Sequence, residues 1–385
     1  MKLLMGCLAA ALMEMASPVV AQAGVLQYRV QALEELTGNS LDKGRALNDA
    51  GMVAGVRYHG PDGSISTSEP FLYRDGRVEL LGSLGGNYGA ATALNRRGDV
   101  VGVSQPASGD GVPFIYRDGR MTTLPLPPAA VVGGPLEINA QGQVIGMFQD
   151  AAGERLGYLY DGRTSQALGT GLLNEQVRGL NDRGEVIGNY RDIDLWGTGS
   201  FVYRDGHVTT LPMLPVTPGN ENLLGAADID NRGRILVNHA DYDGRLPPIT
   251  EVLIYSDGRY TRLDTPNLFV AEAFNERGWV VGTSDYSPDA GPTTLIAGMW
   301  RDGRFDMLDD LLRPADAARW HLSTAIAINK RGQIIGEGML NLNERPVSYI
   351  ATPVPEPGSW ALMAVGLGLV GALASRRQTE RNMGA

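Results

Sequence analysis

The side chains able to do chemistry in this 385-residue sequence are scattered rather than clustered. Glu154, Asp192, Asp194, Glu221 and Asp285 are carboxylates of the kind that a polysaccharide hydrolase or lyase sets in facing acid/base pairs, but no spacing joins any two of them. The four histidines, His59, His207, His239 and His321, form neither an H-x-H nor an H-E-x-x-H pattern, which argues against a zinc centre. Asp228, Asp230 and Asn231 are followed by Asp241 and Asp243 before Gly244. This oxygen-rich stretch makes Asp241 and Asp243 a calcium candidate, although no acidic ligand follows at the EF-hand position. No G-x-S-x-G, P-loop or Cys-His pattern occurs, and no cofactor is expected. Binding is therefore a stronger expectation than catalysis, and the catalytic residues of any enzyme reading stay unassigned.

For binding, the informative residues are aromatic. Tyr58, Tyr88, Tyr190, Trp196, Tyr242, Tyr286 and Trp320 fall in connecting segments of variable length. Flat side chains there can stack on sugar rings or anchor a protein partner, and they can equally pack one loop on another. The formal charge of −10 disfavours nucleic acid and anionic lipid as partners.

Both ends of the chain read as sorting segments. Lys2, an apolar run from Leu3 to Met13 and the triplet Ala21-Gln22-Ala23 have the parts of a secretory signal peptide, residues 1–23, cleaved after Ala23. The single cysteine, Cys7, lies inside it, so the mature chain is expected to have no disulfide and no thiol chemistry. At the other end Pro355-Glu356-Pro357 precedes an apolar run over 360–374 and then Arg376-Arg377. Fifteen helical residues span about 22 Å, short of the roughly 30 Å of a hydrocarbon core, so this is a marginal anchor. The trailing arginines would keep its end cytoplasmic.

This arrangement of motif, spacer, apolar helix and basic pair resembles the PEP-CTERM sorting signal of Gram-negative bacteria, placed here over 354–385. The resemblance implies an exosortase-type processing enzyme as partner, a transient inner-membrane anchor and a final place at the cell surface or outside. Loss of the signal peptide leaves the charge unchanged, because Lys2 and Glu14 cancel, and loss of the tail removes a net +2, which leaves −12.

Residues 24–353 are dominated by a repeat. Asn48-x-x-Gly51 returns at Asn95, Asn139, Asn181, Asp230, Asn275 and Asn329, each three residues before a glycine, with the glycines 42 to 54 residues apart. Asn and Gly here are expected to share left-handed backbone in a tight turn. In six copies a short apolar strand ending in Gly follows, as in Val100-Val101-Gly102; the fifth has Val237. Between the copies runs Phe71-Leu72-Tyr73-Arg74-Asp75-Gly76-Arg77 and its relatives, and Asp-Gly between apolar strands signals a hairpin.

Two hairpins per period give four strands, and seven periods give an all-β seven-bladed β-propeller, flanked by the signal helix and the sorting helix. The seventh period has one strand near Ser348–Thr352 after its turn and no Asp-Gly hairpin, while Val25–Leu33 reads as a spare outer strand. Pairing these two would close the ring and remove exposed sheet edges. The repeats resemble the HAF-type extracellular repeat, as over Leu81–Gly86, Ala90–Gly102 and Pro113–Tyr116, which implies an extracellular repeat protein without assigning it an activity. The expected function is a non-enzymatic surface module that holds exopolysaccharide or envelope protein on its variable-loop end. A polysaccharide-active enzyme and a structural matrix protein are the alternatives.

Overall fold

The Asp-Gly turns set the spacing of the sheets. Asp75 and Gly76 have φ of 50° and 75°, and Asp118 with Gly119, Asp205 with Gly206, Asp257 with Gly258 and Asp302 with Gly303 repeat this double left-handed step. Two such residues in succession make the hairpin turn whose twist matches that of the flanking strands. Arg74 accordingly pairs with Arg77 and Arg117 with Arg120. The shorter copy at Asp161 differs, because its carboxylate caps the turn by accepting from the Arg163 and Thr164 amides.

The computed structural model describes residues 26–60, 67–192, 197–244, 249–286, 294–341 and 345–354. Residues Tyr28–Thr352 form one compact unit. The expected signal peptide and sorting helix lie outside the described residues. Among the described residues no helix is long and apolar enough to cross a membrane.

The chain is all-β. Repeats one, two, three and six each build a four-stranded antiparallel sheet, for example Lys43–Leu47, Val53–Tyr58, Ser68–Arg74 and Arg77–Leu80 in repeat one. Repeats four and five join into one eight-stranded sheet, the bridge being Thr198 beside Leu223 in parallel. In repeat seven, Trp320–Ile328, Ile334–Leu340 and Val347–Val354 are followed in the sheet by the N-terminal strand Gln27–Ala32. Leu33, read from sequence as strand, instead begins a short helix, Leu33–Thr37, that Gly38 ends with φ of 74°. The first strands of the repeats touch one another in succession, and the first strand of repeat one touches that of repeat seven.

Apolar residues pack between neighbouring sheets rather than within any one. Ala54 and Leu72 of repeat one meet Ala91, Leu94 and Phe114 of repeat two, and Ile145 of repeat three meets Val177, Val186 and Phe201 of repeat four. Each sheet is thus stabilised mainly by its neighbours, since a single small sheet buries too little apolar surface to stand alone.

The repeated asparagine has a role that the turn reading missed. Its own backbone is not left-handed; the glycine three residues on takes that conformation, with φ of 85° at Gly51 and 87° at Gly98. The asparagine Oδ1 instead accepts from the second and fourth amides after it, as Asn48 does from Ala50 and Met52 at 3.0 Å each. Its Nδ2 then reaches the main chain of the next repeat. Asn48 donates to the Asn95 carbonyl (2.9 Å), Asn95 to Asn139 (3.1 Å), Asn139 to Asn181 (3.0 Å) and Asn181 to Asp230 (3.1 Å). Asn275 donates to Asn329 (3.0 Å) and Asn329 to Asn48 (2.9 Å).

The glycine of the apolar strand also corrects its reading, because it sits inside the strand and not at its end: Gly102 lies within Val100–Pro106. A Cβ there would collide with the Ala90 carbonyl oxygen and lie 2.8 Å from the Phe114 ring. The first strand of the repeat bulges at this level, between Ala91 and Ala93, and presses its backbone on the second. Val237 of repeat five stands opposite Ala226, and the bulge falls at the same level as in repeat two, between Ala226 and Asp228.

Candidate functional site

Seven turns converge at one end of the unit around a cavity of about 220 Å³. Its walls include the seven turn residues from Asn48 to Asn329, and its rim holds Asp49, Arg96, Asp182, Asn231, Glu276 and Lys330. These rim residues are tied to one another across repeats. The Ala140 amide donates to Asp182 (2.8 Å), the Asp182 amide to Asn231 (2.7 Å) and the Lys330 amide to Asp49 (3.0 Å), with the Lys330 ammonium 3.0 Å from the same carboxylate.

Of the carboxylates that border this cavity, Glu137 and Asp228 break the repeat pattern. They occupy the position two before the turn residue, where the other repeats carry Ala46, Ala93, Gly179, Ala273 and Ala327. Burial pushes Glu137 up to about 8, and the nearby Asp228 charge adds to the rise. Burial likewise raises Asp228 to about 6, opposed by the hydrogen bonds that it accepts. Each carboxylate accepts from the main chain of the next repeat, Glu137 from the Leu180 amide (2.8 Å) and Asp228 from the Phe274 amide (3.0 Å). The pair can hold a proton at neutral pH and staples neighbouring sheets. Aligning the repeats would have exposed these two acids, since they interrupt a column of Ala and Gly.

The carboxylates singled out from the sequence do not gather in this way. Glu221 lines a groove at the opposite end, Asp192 lies close enough to Tyr190 to help hold its hydroxyl pKa up, and Asp194 is outside the described residues. Among the described residues no group of three or more His, Cys, Asp or Glu is placed to hold a metal ion. The calcium candidate Asp241 is engaged otherwise. Its carboxylate accepts from Thr217 Oγ1 (2.9 Å) and Asn220 Nδ2 (2.6 Å), and these bonds hold its pKa below the usual range. Asp243 also has a partner.

The aromatic expectations divide. Tyr88 is exposed on the first strand of repeat two. Tyr58 and Tyr242 are half-buried at strand ends. Trp320 is not a free loop residue: it opens the first strand of repeat seven, is buried, and stands edge-on to Tyr349 at 6.1 Å. Tyr190 lies across Gly199, where a Cβ would sit 2.6 Å from its hydroxyl, and packs on the core between repeats three and four. Trp196 and the side chain of Tyr286 lie outside the described residues.

What the variable-loop end does expose is aliphatic. Val131 (69% exposed), Val132, Leu173 (50% exposed) and Val270 stand with Tyr88 at or near the loop-side starts of the first strands of repeats two, three, four and six. Beside them, between repeats four and five, is a groove of about 490 Å³ lined by Asn174, Gln176, Arg178, Arg191, Thr198 and Glu221 among others.

The family comparison matches residues 353–378 to the PEP-CTERM protein-sorting motif. The segment includes Pro355, Glu356, Pro357, Arg376 and Arg377; it marks an exported protein with a transient membrane anchor and implies recognition by an exosortase-type enzyme. The HAF resemblance of the repeats finds no support in these comparisons, and no curated protein matches the chain. Among solved structures, the β-propeller domain of the Trilobed protease from Pyrococcus furiosus, described as having an open velcro topology, aligns at TM-score 0.53 and 11% identity. The alignment covers 82% of this chain and 98% of that one. The acylaminoacyl peptidase of Pyrococcus horikoshii aligns at TM-score 0.51 and 10% identity, over 86% of this chain and 55% of that one. YCF48 bound to D1 peptide aligns at TM-score 0.47 and 14% identity, over 86% and 96%. At these identities the likeness extends to the propeller fold alone.

Proposed function

We propose that this exported chain is a non-enzymatic binding module, a seven-bladed β-propeller closed by Gln27–Ala32 against Val347–Val354, whose loop end holds a protein of the cell envelope or extracellular matrix. The seven turns, the succession of touching first strands and the Asn329–Asn48 bond support the ring. Tail processing then leaves the module at the cell surface or outside.

The observation that carries the choice of partner is the exposed group of Tyr88, Val131, Val132, Leu173 and Val270. Exposed aliphatics around one end of the body favour protein docking, whereas a sugar platform is built from open aromatic faces. Of the aromatics that would have supplied such faces, Trp320 is buried and Tyr190 is half-buried against the core beside the groove. The enzyme alternative is weakened in the same way, since Glu137 and Asp228 are each bonded to a neighbouring sheet.

The test is affinity capture from envelope and extracellular fractions by the wild-type chain and by a Val131→Glu, Leu173→Glu double variant. A partner retained by the wild type and held about tenfold more weakly by the variant supports the reading. Equal retention by both chains, or capture of polysaccharide alone, overturns it.

A further inference from the structure

We propose that the groove between repeats four and five is the charged subsite of this docking face and takes a side-chain carboxylate from an extended acidic segment of the partner; this rests on the protein-partner reading above. The groove brings two exposed guanidinium groups, Arg178 and Arg191, to one lining, against the single carboxylate of Glu221. Elsewhere the chain is acidic, with a formal charge of −10. An anionic segment is therefore repelled by most of the body and drawn to this place, which fixes where and in what register it docks.

The local chemistry suits a carboxylate. Among the described residues Arg178 makes a long 3.4 Å contact from its Nη2 to Gln176 Oε1, which leaves donors of its planar fork for a ligand. Glu272 lies close enough for the Arg178 charge to offset part of its burial, and Asp192 lies near Tyr190 with a contact of its own. These acids temper the positive field at the groove. Asn174, Gln176 and Thr198 add neutral donors and acceptors in the same lining. Two guanidinium groups in one lining, with side-chain amides in the same groove, offer the donors that the two oxygens of a carboxylate accept.

The apolar and the charged parts of the face are held together by the main chain. The Arg191 amide donates to the Leu173 carbonyl at 2.9 Å, and Asn174, the next residue, turns the chain with φ of 51° before the first strand of repeat four begins at Gln176. Leu173 thus stands beside the groove, so the segment that fits carries an aliphatic residue within a position or two of its acid.

The experiment selects from a random twelve-residue peptide display library on the purified full-length chain in mild detergent, with an Arg178→Gln, Arg191→Gln variant in parallel. Thermal melts first verify that the variant is folded; if it is not, single substitutions replace it. The expected result is enrichment of Asp or Glu next to Val, Leu or Ile on the wild type. A synthetic copy of a selected peptide is expected to bind about tenfold more weakly to the variant, or when its acid is replaced by amide. Selected peptides that are apolar without acidic enrichment overturn this proposal while sparing the protein-partner reading. Selection of no peptide at all overturns both. Tighter Arg178-dependent binding of an oligouronate than of any selected peptide overturns it in favour of an acidic saccharide.

Discussion

Arg234 stands four residues after Asp230, with its Nε 2.7 Å from the Asp230 carboxylate and its Nη2 3.1 Å from the Glu276 carbonyl of the next repeat. At the other six turns the residue in the Asp230 position is asparagine, and its amide crosses to the neighbouring sheet unaided. A carboxylate has no proton to give, so the crossing passes to the guanidinium. Repeat five keeps the link and changes the donor.

An exchange at repeat seven should follow the same logic. Asn329→Asp removes the donor to the Asn48 carbonyl and to Gln333 Oε1, both at 2.9 Å, and is expected to cost about 2–4 kcal/mol. Adding Gln333→Arg recreates the Asp230–Arg234 arrangement and is expected to return at least half of the loss. Urea unfolding of the single and double variants measures both steps; equal midpoints for the two would remove the explanation.

Stability should fall as pH rises between the ordinary carboxylate value of 4.5 and about 8. Glu137 is raised in the folded chain, chiefly by burial, so the protonated form is favoured by folding. Its contribution is complete below 4.5 and is lost as pH climbs through about 8, with a slope of at most about 1.4 kcal/mol per pH unit for one proton. Asp228, raised to about 6, acts in the same direction over a lower window. Glu137→Gln retains an oxygen for the Leu180 amide and should flatten the upper part of the profile. Calorimetric scans from pH 5 to 9 would show a persistent slope in the variant if another group is responsible.

Gly102→Ala should be far worse than an ordinary strand substitution. The added Cβ meets the Ala90 carbonyl, which belongs to the strand backbone, and the buried Phe114 ring. A cost of about 3 kcal/mol or more is expected, where the same Gly-to-Ala change in an open strand gains about 0.5–1 kcal/mol. Gly76→Ala, in a hairpin turn with nothing within 4 Å of its Cβ position but φ of 75°, separates steric from conformational cost, and its loss should be the smaller.

Tyr28→Ala tests whether the N-terminal strand belongs to the cooperative unit. Tyr28 is fully buried, and its hydroxyl points at the Met299 sulfur, 3.6 Å away. Truncation should cost about 3–5 kcal/mol and lower a single unfolding transition. A two-step transition, with the first strand leaving early, would separate that strand from the rest.

How much of this could be read from residues alone depended on the range of each interaction. The Asp75-Gly76 hairpin was legible because two left-handed residues in succession demand that composition locally. The place of Gln27–Ala32 in the seventh sheet followed from counting strands, which uses only the order of elements. The crossing amide of Asn48 was not legible, since its acceptor is 47 residues away and an Asx turn explains the same residue without it. Trp320 was misplaced because the first strand of repeat seven begins at Trp320 itself, within the stretch read as a connecting segment. Glu137 carries no local signal because it sits inside a strand, and Asp228 read only as part of an oxygen-rich stretch because its bond to the Phe274 amide spans 46 residues.

The bond from Asn329 to Asn48 spans 281 residues, whereas the other asparagine links span 42 to 54. A chain delivered from one end can set repeat upon repeat as it arrives, at the pace of short loop closures. The last link alone must wait for nearly the whole chain. Until then the strand that emerged first keeps an open edge, so the interval between first and last arrival, rather than the stability of any single sheet, sets how long this protein is vulnerable to misassembly.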